Sequence, residues 1–175
     1  MRIVGGRLGG RRFEGPPGKS TRPTPERVRE GLASALHARG AIEGASVLDL
    51  FAGTGALGFE ALSRGAVRAL LIDSDQQVVR TAARSARSLD LQDRVQVMRL
   101  DLIGDPTAAA GRVARHRAAP FDLVFADPPY RVVQQVPRLL EKLLERGCLT
   151  GRTLIAIEHS SARPAADPAG FIRQG

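Results

Sequence analysis

Two short stretches hold the residues able to do chemistry. They are Asp49-Leu-Phe-Ala-Gly53-Thr-Gly55-Ala-Leu-Gly58 and Asp127-Pro128-Pro129-Tyr130. Each closes an apolar run that reads as a buried strand. The spacing Gly53-x-Gly55-x-x-Gly58, between a strand and a helix, suits a nucleotide cofactor: glycines let the backbone approach a ligand and let helix pack on strand. Asp73 ends the next apolar run and can accept hydrogen bonds from both ribose hydroxyls. That much serves NAD as well as S-adenosylmethionine. Asp49 tilts the choice to the latter, because a buried acid needs a partner, and the cofactor's ammonium or a loop amide can supply one. Asp101, ending the third run, can face an adenine amino group. Phe51 and Leu102 complete the expected pocket. Each acid has a plainer reading: Asp49 as a brace for the loop, Asp101 as a turn or helix cap.

In Asp127-Pro128-Pro129-Tyr130 the prolines stiffen the chain and remove amide donors, leaving carbonyls to accept. The exocyclic amine of guanine or adenine is a poor nucleophile whose lone pair is delocalised into the ring. The Asp127 carboxylate and the Pro128 carbonyl, both accepting from it, would aim the lone pair at an activated methyl group. Tyr130 can stack on the base, worth roughly 1–3 kcal/mol. Catalysis is then alignment for in-line displacement, with Asp127 or water taking the proton.

The elements that must position these groups follow from the hydrophobic pattern. Strand-like runs fall at 47–51, 69–73, 95–100, 123–126 and 154–157. They are short and nearly continuously apolar, as in strands covered on both faces. Helical patterns fall at 56–64, 75–89, 107–117 and 132–146, with Asp75 as a cap and Pro137 starting or kinking the last. The alternation implies an α/β, Rossmann-like domain with a mostly parallel sheet and helices on both faces. Before it, residues 1–24 read as a basic extension: a β-hairpin turning at a Gly-Gly pair, then a Pro/Gly-rich loop. Thr24-Pro25-Glu26 opens a helix that ends near Gly40. Residues 25–175 form the main unit of one globular domain.

The 175 residues carry a net charge of +8 and a pI near 11.2. Arginine outnumbers lysine 24 to 2, a bias that genome composition alone can produce, but position argues for more. Eight basic and three acidic residues lie in residues 1–30. Arg7, Arg11, Arg12, Lys19 and Arg22 are therefore candidates to hold phosphates around an unstacked base, against the alternative of a solvated surface. The three histidines are scattered, so no metal is expected. A single Cys148, no secretory signal and no membrane-length apolar run suggest a cytoplasmic protein. No spare apolar helix face is evident, which suggests a monomer.

The chain resembles the bacterial methyltransferases that modify guanine N2 in 16S ribosomal RNA, the RsmD family. The resemblance rests on Arg2-Ile-Val-Gly-Gly, Gly10-Arg-Arg, Arg22-Pro-Thr24, Arg27-Val-Arg-Glu30, the run from Val47 to Arg64, and Asp127-Pro-Pro-Tyr130. The N-terminal segments are the specific part. It implies a class I methyltransferase fold, S-adenosylmethionine as donor (S-adenosylhomocysteine as product), and the small ribosomal subunit or its assembly intermediate as substrate. The family's sheet has seven strands and ends in an antiparallel hairpin. Beyond Ile157 only 171–175 is strand-like, so the last strand is expected to be missing and an edge exposed. Tyr130 stands where the family often has Phe. Other readings stay open at this point: adenine N6 or another amine as acceptor, an RNA-binding assembly factor without catalysis, or an NAD-dependent dehydrogenase.

Overall fold

The computed structural model describes residues 1–15, 25–158 and 166–172. Among these residues five parallel strands form one sheet: β1 (Ser46–Leu50), β2 (Arg68–Asp73), β3 (Val95–Arg99), β4 (Leu123–Ala126) and β5 (Leu154–Ile157), in the order β3-β2-β1-β4-β5. Five helices connect or precede them: α1 (Glu26–Ala38), α2 (Ala56–Ser63), α3 (Gln76–Ser88), α4 (Pro106–Ala114) and α5 (Val136–Glu145). This is the Rossmann-like α/β architecture expected from the alternation.

Side chains alternate across each strand, so the sheet feeds two cores. Val47, Ala69, Leu71, Leu123 and Phe125 point to the layer that holds Leu36, Phe59, Leu62 and Ala86. Leu48, Leu50, Leu70, Ile72, Val124 and Ala126 point to the layer that holds Val113, Leu139, Leu140 and Leu143. Hence α1, α2 and α3 cover one face, and α4 and α5 the other.

Helix starts follow local chemistry. Asp75 accepts from the amides of Gln77 (2.7 Å) and Val78 (3.2 Å), satisfying the first turn of α3. Asp105 does the same for α4 through Thr107 and Ala108, both at 3.0 Å, with Pro106 next in sequence. A 3₁₀ turn over Val133–Gln135 precedes α5, whose first turn contains Pro137. Thr24, the expected cap of α1, lies outside the described residues; α1 starts directly after Pro25.

The N-terminal segment pairs with itself as a short antiparallel hairpin: Met1 and Phe13 exchange two hydrogen bonds (2.9 and 3.0 Å), and the Ile3 amide donates to the Arg11 carbonyl and the Gly10 amide to the Ile3 carbonyl (both 2.9 Å), around the Arg2–Arg12 bridge. Its tip carries a 3₁₀ turn at Gly6–Leu8. The amides of Val4 and Gly5 go to the Glu60 carboxylate (2.9 and 2.8 Å) instead of to a partner strand. Gly6, at φ +73°, lies so close to the Ser63 backbone that a Cβ would not fit. Ile3 and Phe13 are buried in the main core, and the Phe13 ring meets Phe59 edge-on at 5.5 Å. The segment is thus part of the domain. Arg29 on α1 is fully buried and donates from Nη2 to the Arg2 carbonyl at 3.2 Å, while its Nε and Nη1 find no partner among the described residues. Burial pushes its pKa down, opposed by the charges of Glu60 and Glu26. At the other end of the chain, Phe171 and Ile172 lie in no strand, and 173–175 lie outside the described residues.

Candidate active site

The strand order reverses direction between β1 and β4, and an open α/β sheet binds ligands in the crevice outside that point. A cleft of about 940 Å³ lies there. The glycine loop forms one wall. Gly55 adopts φ +80° at the start of α2, where a Cβ would strike Leu71 and Phe59. A Cβ on Gly58 would drive into Leu71 Cδ2, so this glycine lets α2 pack against β2. Phe51, just past β1, has φ +60°, a left-handed backbone held by the amide of Ala52 donating to the Ile72 carbonyl at 2.8 Å.

Asp49, Asp73, Asp101 and Asp127 bring four carboxylates to the cleft. Asp49 is 1% exposed and accepts from the Gly58 amide at 3.0 Å. Burial raises its pKa to about 8, the Gly58 hydrogen bond opposes this, and the charges of Asp127 and Asp73 add to it. The loop-bracing reading of Asp49 is therefore realised, beside a cleft with room for a cation. Asp73 accepts from the Gly53 amide (3.0 Å) and the Asp75 amide (2.9 Å), which ties β2 to the glycine loop. Asp101 caps its own turn: Oδ1 accepts from Ile103 (2.9 Å) and Gly104 (3.1 Å), which lowers its pKa. Asp101 also lines the cleft.

Asp127, Pro128, Pro129 and Tyr130 leave the end of β4 and line the same cleft, as do Asp49, Phe51, Gly53, Asp73, Asp101 and Leu102. Gly55 acts behind the wall, through backbone shape. Tyr130 is 76% exposed, an aromatic face open to an incoming planar group. Both expected half-sites therefore meet in one place. Their chemistry fits a cationic nucleotide cofactor: several acids, an apolar floor and a glycine-lined approach. Glu43, Arg94 and Arg7 belong to a separate cavity at the opposite end of the sheet.

Glu158 was not foreseen from the sequence. It directly follows β5, its amide donates to the Ala126 carbonyl at 2.8 Å, and it lines the cleft beside Asp127. Burial, then the Asp127 charge, raises its pKa. Its only signal in the sequence is an acid closing an apolar run. Val28 and Met1 also reach the cleft, bringing α1 and the N-terminal segment to its rim.

The basic candidates divide. Arg7 and Arg12 are exposed. Arg11 is engaged at the end of α3, donating to the carbonyls of Ser88 (2.7 Å) and Leu89 (3.2 Å) and to Asp90 Oδ2 (2.9 Å), a favourable place for a cation. Lys19 and Arg22 lie outside the described residues. Among the described residues no cluster of three or more potential ligands could hold a metal, and no helix is long and apolar enough to cross a membrane.

The family model described as conserved hypothetical protein 95 matches residues 1–173. The chain belongs to that family. It is 35% identical, over 90% of its length and 74% of the relative's, to ribosomal RNA small subunit methyltransferase D of Escherichia coli K12. The solved structure of the Escherichia coli protein yhhF superposes with a TM-score of 0.74 at 33% identity, covering 97% of this chain and 86% of that one. An S-adenosylmethionine-dependent methyltransferase of Thiobacillus denitrificans, in complex with S-adenosylhomocysteine, shares the fold at 19% identity (TM-score 0.59; 78% of this chain, 49% of that one). The fold of this family member is thus that of the class I methyltransferases.

Proposed function

We propose that the chain is an S-adenosylmethionine-dependent methyltransferase that modifies the exocyclic N2 amine of a guanine in 16S ribosomal RNA. The observation that carries this reading is the meeting of Asp127-Pro128-Pro129-Tyr130 with the glycine loop in one acidic cleft. The related Escherichia coli ribosomal RNA methyltransferase supports the substrate class.

S-adenosylmethionine supplies a methyl group already activated by its sulfonium. Asp73 holds the ribose hydroxyls, Asp101 and Leu102 border the base of the cofactor, and Asp49 and the other carboxylates balance its positive charge. Asp127 and the Pro128 carbonyl accept from the two amine hydrogens, which turns the lone pair toward the methyl. Tyr130 and Pro129 clamp the base faces. Asp127 takes the proton released on transfer or passes it to water.

Glu158 favours guanine over adenine. Guanine's Watson–Crick edge offers N1–H beside N2–H₂, a row of donors that two carboxylates satisfy. Adenine presents an acceptor at N1, which an ionised carboxylate repels. A site built for a donor rejects a base that lacks it, because its polar groups are left unpaired. The protein acts as a monomer in the cytoplasm, on the small subunit or its assembly intermediate.

The test is transfer of labelled methyl from S-adenosylmethionine to unmodified small ribosomal subunits, followed by nucleoside mass analysis. The expected product is N2-methylguanosine, lost in Asp127→Ala. N6-methyladenosine, or label in protein, would replace this reading by another amine acceptor.

A further inference from the structure

The cavity at the opposite end of the sheet, about 590 Å³, is bordered by Arg7, Glu43, Arg64, Gly65, Val67 and Arg94. Glu43 precedes β1, Val67 precedes β2 and Arg94 precedes β3. It therefore sits at the amino ends of these strands, whereas the reaction cleft sits at their carboxyl ends. Five to six residues of strand separate the two by about 17–20 Å. The N-terminal segment borders both, with Met1 at the cleft and Arg7 at the cavity.

Two of the three guanidinium groups are held directly, and the third projects from an anchored turn. Arg64 closes α2, its Nε bonded to Glu60 Oε1 at 3.0 Å. Arg94 donates to the Val67 carbonyl at 3.2 Å and to the Ala66 carbonyl. Arg7 lies in the 3₁₀ turn that Glu60 and Ser63 hold to α2, the latter through the Leu8 amide at 2.9 Å. The Arg7 side chain is exposed and has no hydrogen bond or ion pair among the described residues. Burial and the Arg7 charge both depress the Arg94 pKa, so these two cations feel one another. Glu43 leans over Gly65 and pairs with none of them within 4 Å among the described residues. Like charges held together this way cost free energy that a bound anion returns, and the guanidinium fork matches phosphate.

We propose that Arg7, Arg64 and Arg94 form a subsite for a backbone phosphate of the RNA substrate, distant from the methylated base. This inference rests on the RNA reading above. It makes the substrate a folded RNA that reaches both ends of the sheet; an isolated loop nucleotide would fill only the cleft.

The test uses the full chain and methyl transfer to unmodified small ribosomal subunits at a series of salt concentrations. Arg7→Gln and Arg7→Glu are the variants, because the Arg7 side chain supports nothing else. Arg112→Gln, an exposed change on α4 across the sheet, is the control. For Arg7→Gln the expected result is a KM raised about threefold and a log–log salt slope smaller by about 0.7–0.9, the loss of one phosphate contact. Saturating kcat and cofactor affinity should stay unchanged, and Arg7→Glu should go further. Wild-type KM and slope in both Arg7 variants, or equal effects from Arg112→Gln, would overturn the subsite. A wild type that transfers no methyl to the subunit would instead overturn the RNA reading, and the subsite with it.

Discussion

At Asp49, burial leaves the carboxyl protonated well above its usual range, and two pH dependences follow. Its folded pKa of about 8 lies above the ordinary 3.8, so folding takes up a proton between those values. Stability contributed by this group is full below about pH 4 and is lost as pH rises through about 8. Asp49→Asn should flatten the decline of Tm between pH 4 and 8, measured by calorimetry. The cationic cofactor favours the ionised form, so its affinity should rise with pH toward 8, by at most about tenfold per unit. In Asp49→Asn that rise should vanish and binding should be weaker. At Tyr130 the exposed ring should contribute by stacking. Tyr130→Ala should lower kcat/KM by about 5- to 150-fold, the equivalent of roughly 1–3 kcal/mol, while Tyr130→Phe stays near wild type. Asp127 and the glycines were legible because they sit in short contiguous motifs. Glu158 was not, since only the pairing of β4 with β5 brings it beside Asp127. The fate of Arg11 was hidden in the same way, because its partners lie 77 to 79 residues along the chain.

Among the elements, α2 binds the most distant parts together. Its first residues line the cleft, and its last turns carry Glu60, Ser63 and, just beyond, Arg64. Glu60 is 1% exposed and accepts from two amides and one guanidinium. Removing it strands all three donors, so Glu60→Ala should cost about 3–5 kcal/mol in urea unfolding. Gly58→Ala should cost about 1–3 kcal/mol by overpacking against Leu71, and Leu71→Ala in the same chain should recover part of that, a coupling visible in a double-mutant cycle. The five strands, the cap at Asp75 and the start of α5 near Pro137 followed from apolar runs and local helix-start chemistry, both of which act within a few residues. The hairpin of residues 1–13 followed from its short apolar arms and Gly-Gly pairs, but its anchorage did not, because Glu60 lies 55 and 56 residues from the amides it holds. Nothing local to residues 1–13 reveals that Glu60 is waiting for their amides.

For the whole molecule, charge should govern the encounter with substrate. With +8 net charge, kcat/KM on ribosomal subunits should fall steeply and linearly on a log–log plot against salt, while cofactor affinity changes little. The N-terminal segment has a further consequence, for the order in which the protein is made. Residues 1–14 are made before Glu60, Ser63, Ser85 and Leu89, to which they fasten. At about 5–20 residues per second, those anchors arrive roughly 3–18 s later. During that interval an arginine-rich segment, with Ile3 and Phe13 uncovered, hangs beside ribosomal RNA, the very polymer its charge attracts. Its docking onto α2 and α3 is therefore a late event of folding that competes, in every nascent chain, with the surface on which the finished enzyme is to act.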